Sequence, residues 1–256
     1  DNTLGNSANG IKGPEGGAHY LARKLAAFCK EHGNNVELHA VGHSAGSVFH
    51  SYFIPRALEL GVPKFSTVHF MAPAVRTDLF KANLKDSVGA GKRIDKMTLY
   101  TMRKDFETDD NCAKVYRKSL LYLIYHALEP QRKTPILGLE ECLRDDPELT
   151  EMFGLRGNGS GGDIVWSKTT VQQGRSASTS TTHGGFDDDG PTMSSIARRI
   201  LGKEDADRIV EYVTNSGRSP GADPWDEAIA LPITIDGRAV PQPTSFGWPA
   251  GNRSRY

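Results

Sequence analysis

Strand-prone and helix-prone stretches alternate along most of this chain, and that alternation restricts its fold more than any other feature. Val36 to Val41 is a short β-prone run that ends at Gly42, and Ala45 to Leu60 is helix-like, with Pro55 expected to kink it. A second β-prone run, Thr67 to Met71, leads into Ala72-Pro73. A third, Met97 to Met102, leads into a charged loop and then an apolar helix from about Ala113 to Leu128. Ile164 to Trp166 reads as a last strand, and Pro191 opens a helix whose stripe of Met193, Ile196, Ala197 and Ile200 ends at Gly202. The pattern predicts the α/β class, a mostly parallel sheet with helices on both faces.

The flanking segments divide the chain into three parts. Residues 1–17, rich in Gly, Asn and Pro, are expected to be irregular, residues 18–214 to form the ordered unit, and residues 215–256 to be an irregular tail packed on it. From Ala18, the residues Leu21, Leu25 and Phe28 fall at helical spacing and predict a helix that buries this apolar face and stops at Gly33. Gln172 to Thr182 reads as a polar Ser/Thr-rich loop, and Glu204 to Val213 as a further helix.

Composition narrows the function. With 256 residues, 38% hydrophobic and 24% charged, the chain can bury one large core. Its 31 basic and 31 acidic residues cancel, so no broad positive field attracts nucleic acid or an anionic membrane surface. The most apolar run, Leu120 to Tyr125, falls far short of the roughly 20 residues a spanning helix needs. Cys29, Cys112 and Cys142 are odd in number and lack metal-like spacing, so free thiols are expected, with no metal site, and a reducing, cytoplasmic setting is favoured.

The chemistry centres on Gly42-His43-Ser44-Ala45-Gly46, a Gly-x-Ser-x-Gly segment. In a glycine-rich chain such a match is weak by itself. Here it falls between a β-run and a helix, where a tight turn lifts the Ser44 hydroxyl clear of the sheet. The same turn aims the Ala45 backbone N–H, aided by the helix dipole, at the place where an oxyanion would form.

A serine hydroxyl needs a base and an orienting carboxylate. Asp105, three residues past the run that ends at Met102, is the expected acid, with Asp78 its rival and Asp109 and Asp110 lesser candidates. Among the histidines, His19, His32, His39, His50, His69 and His126 fall in or beside predicted strands and helices, and His43 sits inside the turn itself. His183, followed by Gly184-Gly185 in a loop after the last strand, is the expected base, ionising at roughly pH 6 to 7. Asp187-Asp188-Asp189 lacks the alternating ligand spacing of a calcium loop and reads as helix capping.

The turn around Ser44, Ala72-Pro73-Ala74 after the next strand, Asp105 after the one beyond and His183 near the end together resemble the α/β-hydrolase superfamily, over roughly residues 18–214. The resemblance implies a catalytic triad of Ser44, Asp105 and His183, an acyl-enzyme intermediate and no cofactor. The implied substrate is an ester, thioester or amide, with esters of lipid-like or small apolar acids favoured. A peptidase or amidase using the same residues, and a binding module that keeps the fold without turnover, are the alternatives. In one respect the chain departs from the family: it lacks the strands that precede the turn and the loop that lends a second oxyanion donor. An upstream segment or a second chain is expected to supply them, or else the chain is a reduced variant.

Overall fold

The computed structural model describes residues 16–112, 116–157, 159 and 161–212, together with the backbone of residues 234–235 and 238–239. Strands β1 (His39–His43), β2 (Phe65–Met71), β3 (Ile94–Met102) and β4 (Gly162–Ser167) form one sheet in sequence order, every adjacent pair parallel. Parallel neighbours require long crossovers, and helices supply them. Helix α2 (Ala45–Glu59) joins β1 to β2 and α3 (Thr77–Asn83) lies between β2 and β3. Four short helices, α4 (Lys104–Asp109), α5 (Leu120–Leu123), α6 (Glu140–Asp145) and α7 (Pro147–Met152), fill the long connection from β3 to β4. Helix α1 (Gly17–His32) precedes the sheet and α8 (Gly190–Ile200) follows it. This is the α/β class that the alternation predicts.

The period of two along each strand divides the core into separate clusters. Val68 and Phe70 of β2 and Met97 and Leu99 of β3 pack with Ala22 and Ala26 of α1 and Phe53, Ile54 and Ala57 of α2. The alternate residues Met71, Tyr100, Met102 and Val165 pack instead with Phe186, Ile196 of α8 and Phe106 of α4. Within the sheet β1 is the edge strand among the described residues, and Val41 at its centre is exposed.

Several elements differ from expectation for local reasons. Helix α1 buries Ala18, Ala22, Ala26 and Cys29, while Leu21 and Phe28 remain 52% and 46% exposed. Its small residues allow close approach to α2. Pro55 is accommodated inside α2. The apolar helix begins at Leu120, not Ala113, and after one turn widens into a π-turn over Ile124–Leu128; residues 113–115 lie outside the described chain. Leu121 and Tyr122 are buried in a third cluster with Ala74 and Ile136, so this segment packs as core.

Helix α4 occupies the expected charged loop. Residues 204–212, expected to be helical, form turns and irregular backbone in which the carbonyls of Glu204 and Asp207 accept from the buried Arg198 guanidinium; Val213, the expected end of that helix, lies outside the described residues. Cys29, Cys112 and Cys142 are free thiols. No described helix is long and apolar enough to cross a membrane. The chain separates into two units, residues 1–214 and 215–256. In the second, β5 (Thr234–Ile235) pairs antiparallel with β6 (Arg238–Ala239), and the remaining tail residues lie outside the described chain.

Candidate active site

Between β1 and α2 the backbone turns through Ser44, whose φ of 51° and ψ of −111° are sterically unfavourable for a residue with a Cβ. Such strain persists only where the surroundings over-determine it. The Ser44 N–H donates to Met71 O at 2.9 Å, and the Ser44 carbonyl accepts from Ser47 N at 3.0 Å, Ser47 Oγ at 2.6 Å and Ala74 N at 3.3 Å. Ser47, fully buried one helical turn on, also accepts the Val75 N–H at 3.1 Å and so ties the turn to the loop after β2. The sequence offers no stronger signal for this role than a small polar residue three positions past Ser44.

The two glycines of the turn differ in function. A Cβ on Gly42 would lie 2.8 Å from the Gly46 carbonyl carbon and 2.9 Å from its oxygen, so this position admits no side chain without movement of α2. A Cβ on Gly46 would meet nothing within 4 Å. Ala45, exposed, contributes the first amide of α2, where N–H groups lack intrahelical partners.

Across the sheet edge, His183 begins a three-residue 3₁₀ turn, His183–Gly185, and is buried. Its Nε2 lies 2.8 Å from Ser44 Oγ. Burial pushes the imidazole pKa down from 6.5 to about 4; the nearby His43 adds to this, while Asp110 and Asp187 oppose it. The neutral ring can therefore accept the Ser44 proton at Nε2 when Nδ1 carries the hydrogen. His183 Nδ1 is buried without a hydrogen-bond partner within the protein.

The carboxylate that meets His183 belongs to Asp110, not Asp105. Asp110 caps the C-terminus of α4 and is buried; its Oδ2 accepts the His183 backbone N–H at 2.8 Å and its Oδ1 accepts the Asn111 N–H at 2.8 Å. Asp105 lies exposed in the first turn of α4, with its own carbonyl accepting from Thr108 Oγ1. Asp78 is exposed and ion-paired with Arg76, which holds its carboxyl below the usual range, and Asp109 is also exposed. The displacement from Asp105 to Asp110 arises because α4 continues past β3, where the sequence suggests only a charged loop.

Of the neighbouring acids, Asp189 caps α8, accepting from Thr192 N at 3.0 Å and Thr179 N at 2.8 Å. No group of three or more His, Cys, Asp or Glu among the described residues is arranged to hold a metal ion. A cavity of about 600 Å³ lined by Arg23, Cys29, Lys30 and Leu60 includes neither Ser44 nor His183. Comparison with protein-family models, with curated proteins and with solved structures gives no match.

Proposed function

We propose that the chain is a serine hydrolase of the α/β-hydrolase type that cleaves an acyl ester through an acyl-enzyme. The observation that carries this reading is the 2.8 Å approach of His183 Nε2 to Ser44 Oγ, with Ser44 held in a strained strand-to-helix turn. In the first step Ser44 Oγ attacks the acyl carbon as its proton passes to His183 Nε2. Negative charge then develops on the carbonyl oxygen and is met by the Ala45 N–H at the α2 N-terminus. His183 returns the proton to the leaving alcohol, and water repeats the sequence on the acyl-serine.

Asp110 is the proposed acid in place of Asp105. Its carboxylate grips the His183 backbone N–H, and its negative charge beside the ring favours the imidazolium that forms when His183 takes the Ser44 proton. Esters of lipid-like or small apolar acids are the proposed substrates. A second oxyanion donor would come with a strand added beside β1, the sheet edge among the described residues, supplied by an upstream segment or a second chain.

Labelling with a fluorophosphonate probe tests the reading. Covalent modification at Ser44 is expected, and Ser44→Ala is expected to abolish it and to lower turnover by several orders of magnitude. The substitution removes only a hydroxyl from a half-buried turn residue, so the variant should remain folded. An unlabelled wild-type protein, or labelling that survives the substitution, would sink the assignment.

A further inference from the structure

His43 lies directly before the nucleophile, yet its ring is turned toward the base. Its Nε2 is 2.8 Å from the carbonyl oxygen of His183, and the two rings stand 5.4 Å apart at 32°. A carbonyl can only accept, so Nε2 carries the hydrogen and His43 is the donor. Its other nitrogen, Nδ1, faces Asp187 Oδ1 at 3.8 Å. The same peptide unit series is held from the other side, where the His183 N–H donates to Asp110 Oδ2 at 2.8 Å.

We propose that His43 is a positioning residue for the base: it and Asp110 grip the backbone of His183 by its C=O and its N–H, and this clamp holds the imidazole against Ser44. The inference rests on the serine-hydrolase reading of the site. It gives a role to a residue whose place in the turn prevents it from taking the Ser44 proton itself.

Three features of the structure favour a clamp over simple packing. His183 opens a single three-residue turn with no side-chain cap, so its placement depends on the bonds made to its own peptide groups. The clamp residue is also joined by one peptide bond to the nucleophile. His43 is in register with Met71, whose carbonyl accepts the Ser44 N–H, so the sheet carries clamp and nucleophile as one body. Finally, the groups that face His183 are His43 from β1, Asp110 from the end of α4 and Asp187 from the turn beyond; positive charge on His43 disfavours a proton on His183, whereas both acids favour one. One side chain thus fixes the base in space and helps to keep it unprotonated.

His43→Ala and His43→Gln separate these effects, because the glutamine amide can donate to the same carbonyl but carries no charge. With ester turnover and fluorophosphonate labelling followed across the pH range, His43→Ala should lower kcat and the labelling rate about 10- to 100-fold, with KM little changed. His43→Gln should recover to within about threefold of wild type, since it restores the hydrogen bond. In both variants the acid limb of the pH profile should move upward from its wild-type midpoint. A purely structural role would lower thermal stability in both variants and leave the midpoint where it was. Wild-type rates in His43→Ala, or no recovery in a folded His43→Gln, would overturn the clamp. Should His43→Ala fail to fold, the rate and midpoint of His43→Gln decide alone. Absence of labelling at Ser44 in the wild type would overturn the hydrolase reading, and the clamp with it.

Discussion

At the scale of single residues, the proposed acid is tested by removing its charge. Asp110→Asn keeps one carbonyl oxygen to accept the His183 N–H, gives up the second acceptor that takes the Asn111 N–H, and removes the negative charge that stabilises an imidazolium, so its melting temperature is read beside its kcat. A loss on the order of 10⁴ in kcat is expected, against little change for the exposed Asp105→Asn. The reverse result in steady-state kinetics would return the acid to Asp105. The base makes a second prediction. His183 must be unprotonated to act, and burial lowers its pKa to about 4, so kcat/KM should rise with pH through a midpoint near 4 and be flat above it. A midpoint at the ordinary histidine value would mean that the site is wetter than the structure has it. The meeting of Ser44 with His183 was legible in the sequence because glycines punctuate both segments, Ser44 directly after β1 and His183 in the loop between β4 and α8. Asp110 was not, since distance along the chain from β3 is a poor guide once a short helix intervenes. The lowered pKa of His183 was equally hidden, because burial is a property of the assembled site and leaves no trace in the local sequence.

At the scale of elements, strands proved easier to read than helices. β2, β3 and β4 are β-branched and aromatic runs that end where the apolar pattern ends. The six- and seven-residue helices α3, α4, α6 and α7 are too short for periodicity to emerge and depend on tertiary contacts. In α1 the larger residues misled, because close packing against α2 selects alanine, and the sequence carries no mark of how near two helices will lie. β1 carries an element-scale prediction. It is the sheet edge among the described residues, with Val41 exposed, and an unpaired edge is a template for another strand. Ala45 offers one oxyanion amide, and losing one donor typically costs about 10² to 10³ in kcat. A separate chain that adds a strand at this edge and brings a second oxyanion N–H should therefore raise kcat by about that factor and leave the pH midpoint in place. An unchanged kcat in a complex shown by hydrogen exchange to protect β1 would refute the proposal.

At the scale of the whole ordered unit, buried titrating groups set opposing demands on stability. Glu107 is fully buried with neither carboxyl oxygen hydrogen-bonded, and burial pushes its carboxyl up to about 8; the nearby Ser119 side chain works against this, and repulsion from Asp110 and Glu141 adds to it. Between the unfolded value near 4.5 and about 8, the native state keeps a proton that the unfolded chain has lost. Stability from this group is therefore complete below about pH 4.5 and declines as pH rises to about 8. The buried histidines act in the opposite direction. His183 and His69 are lowered by burial to about 4 and about 3, so below 6.5 the unfolded chain takes up protons that the native state refuses, and stability falls as pH drops. Loss on both sides places the maximum slightly acid of neutrality, at roughly pH 6. Glu107→Gln substitutes a neutral side chain of the same shape and removes only the alkaline decline. Its melting temperature should match wild type near pH 4 and exceed it by at least about 3 °C at pH 8, in a unit of this size. Parallel melting curves for the two proteins across that interval would show that Glu107 is ionised and solvated in the native state. An acid-side loss that persists in Glu107→Gln but weakens in His69→Gln would identify the histidines as its source.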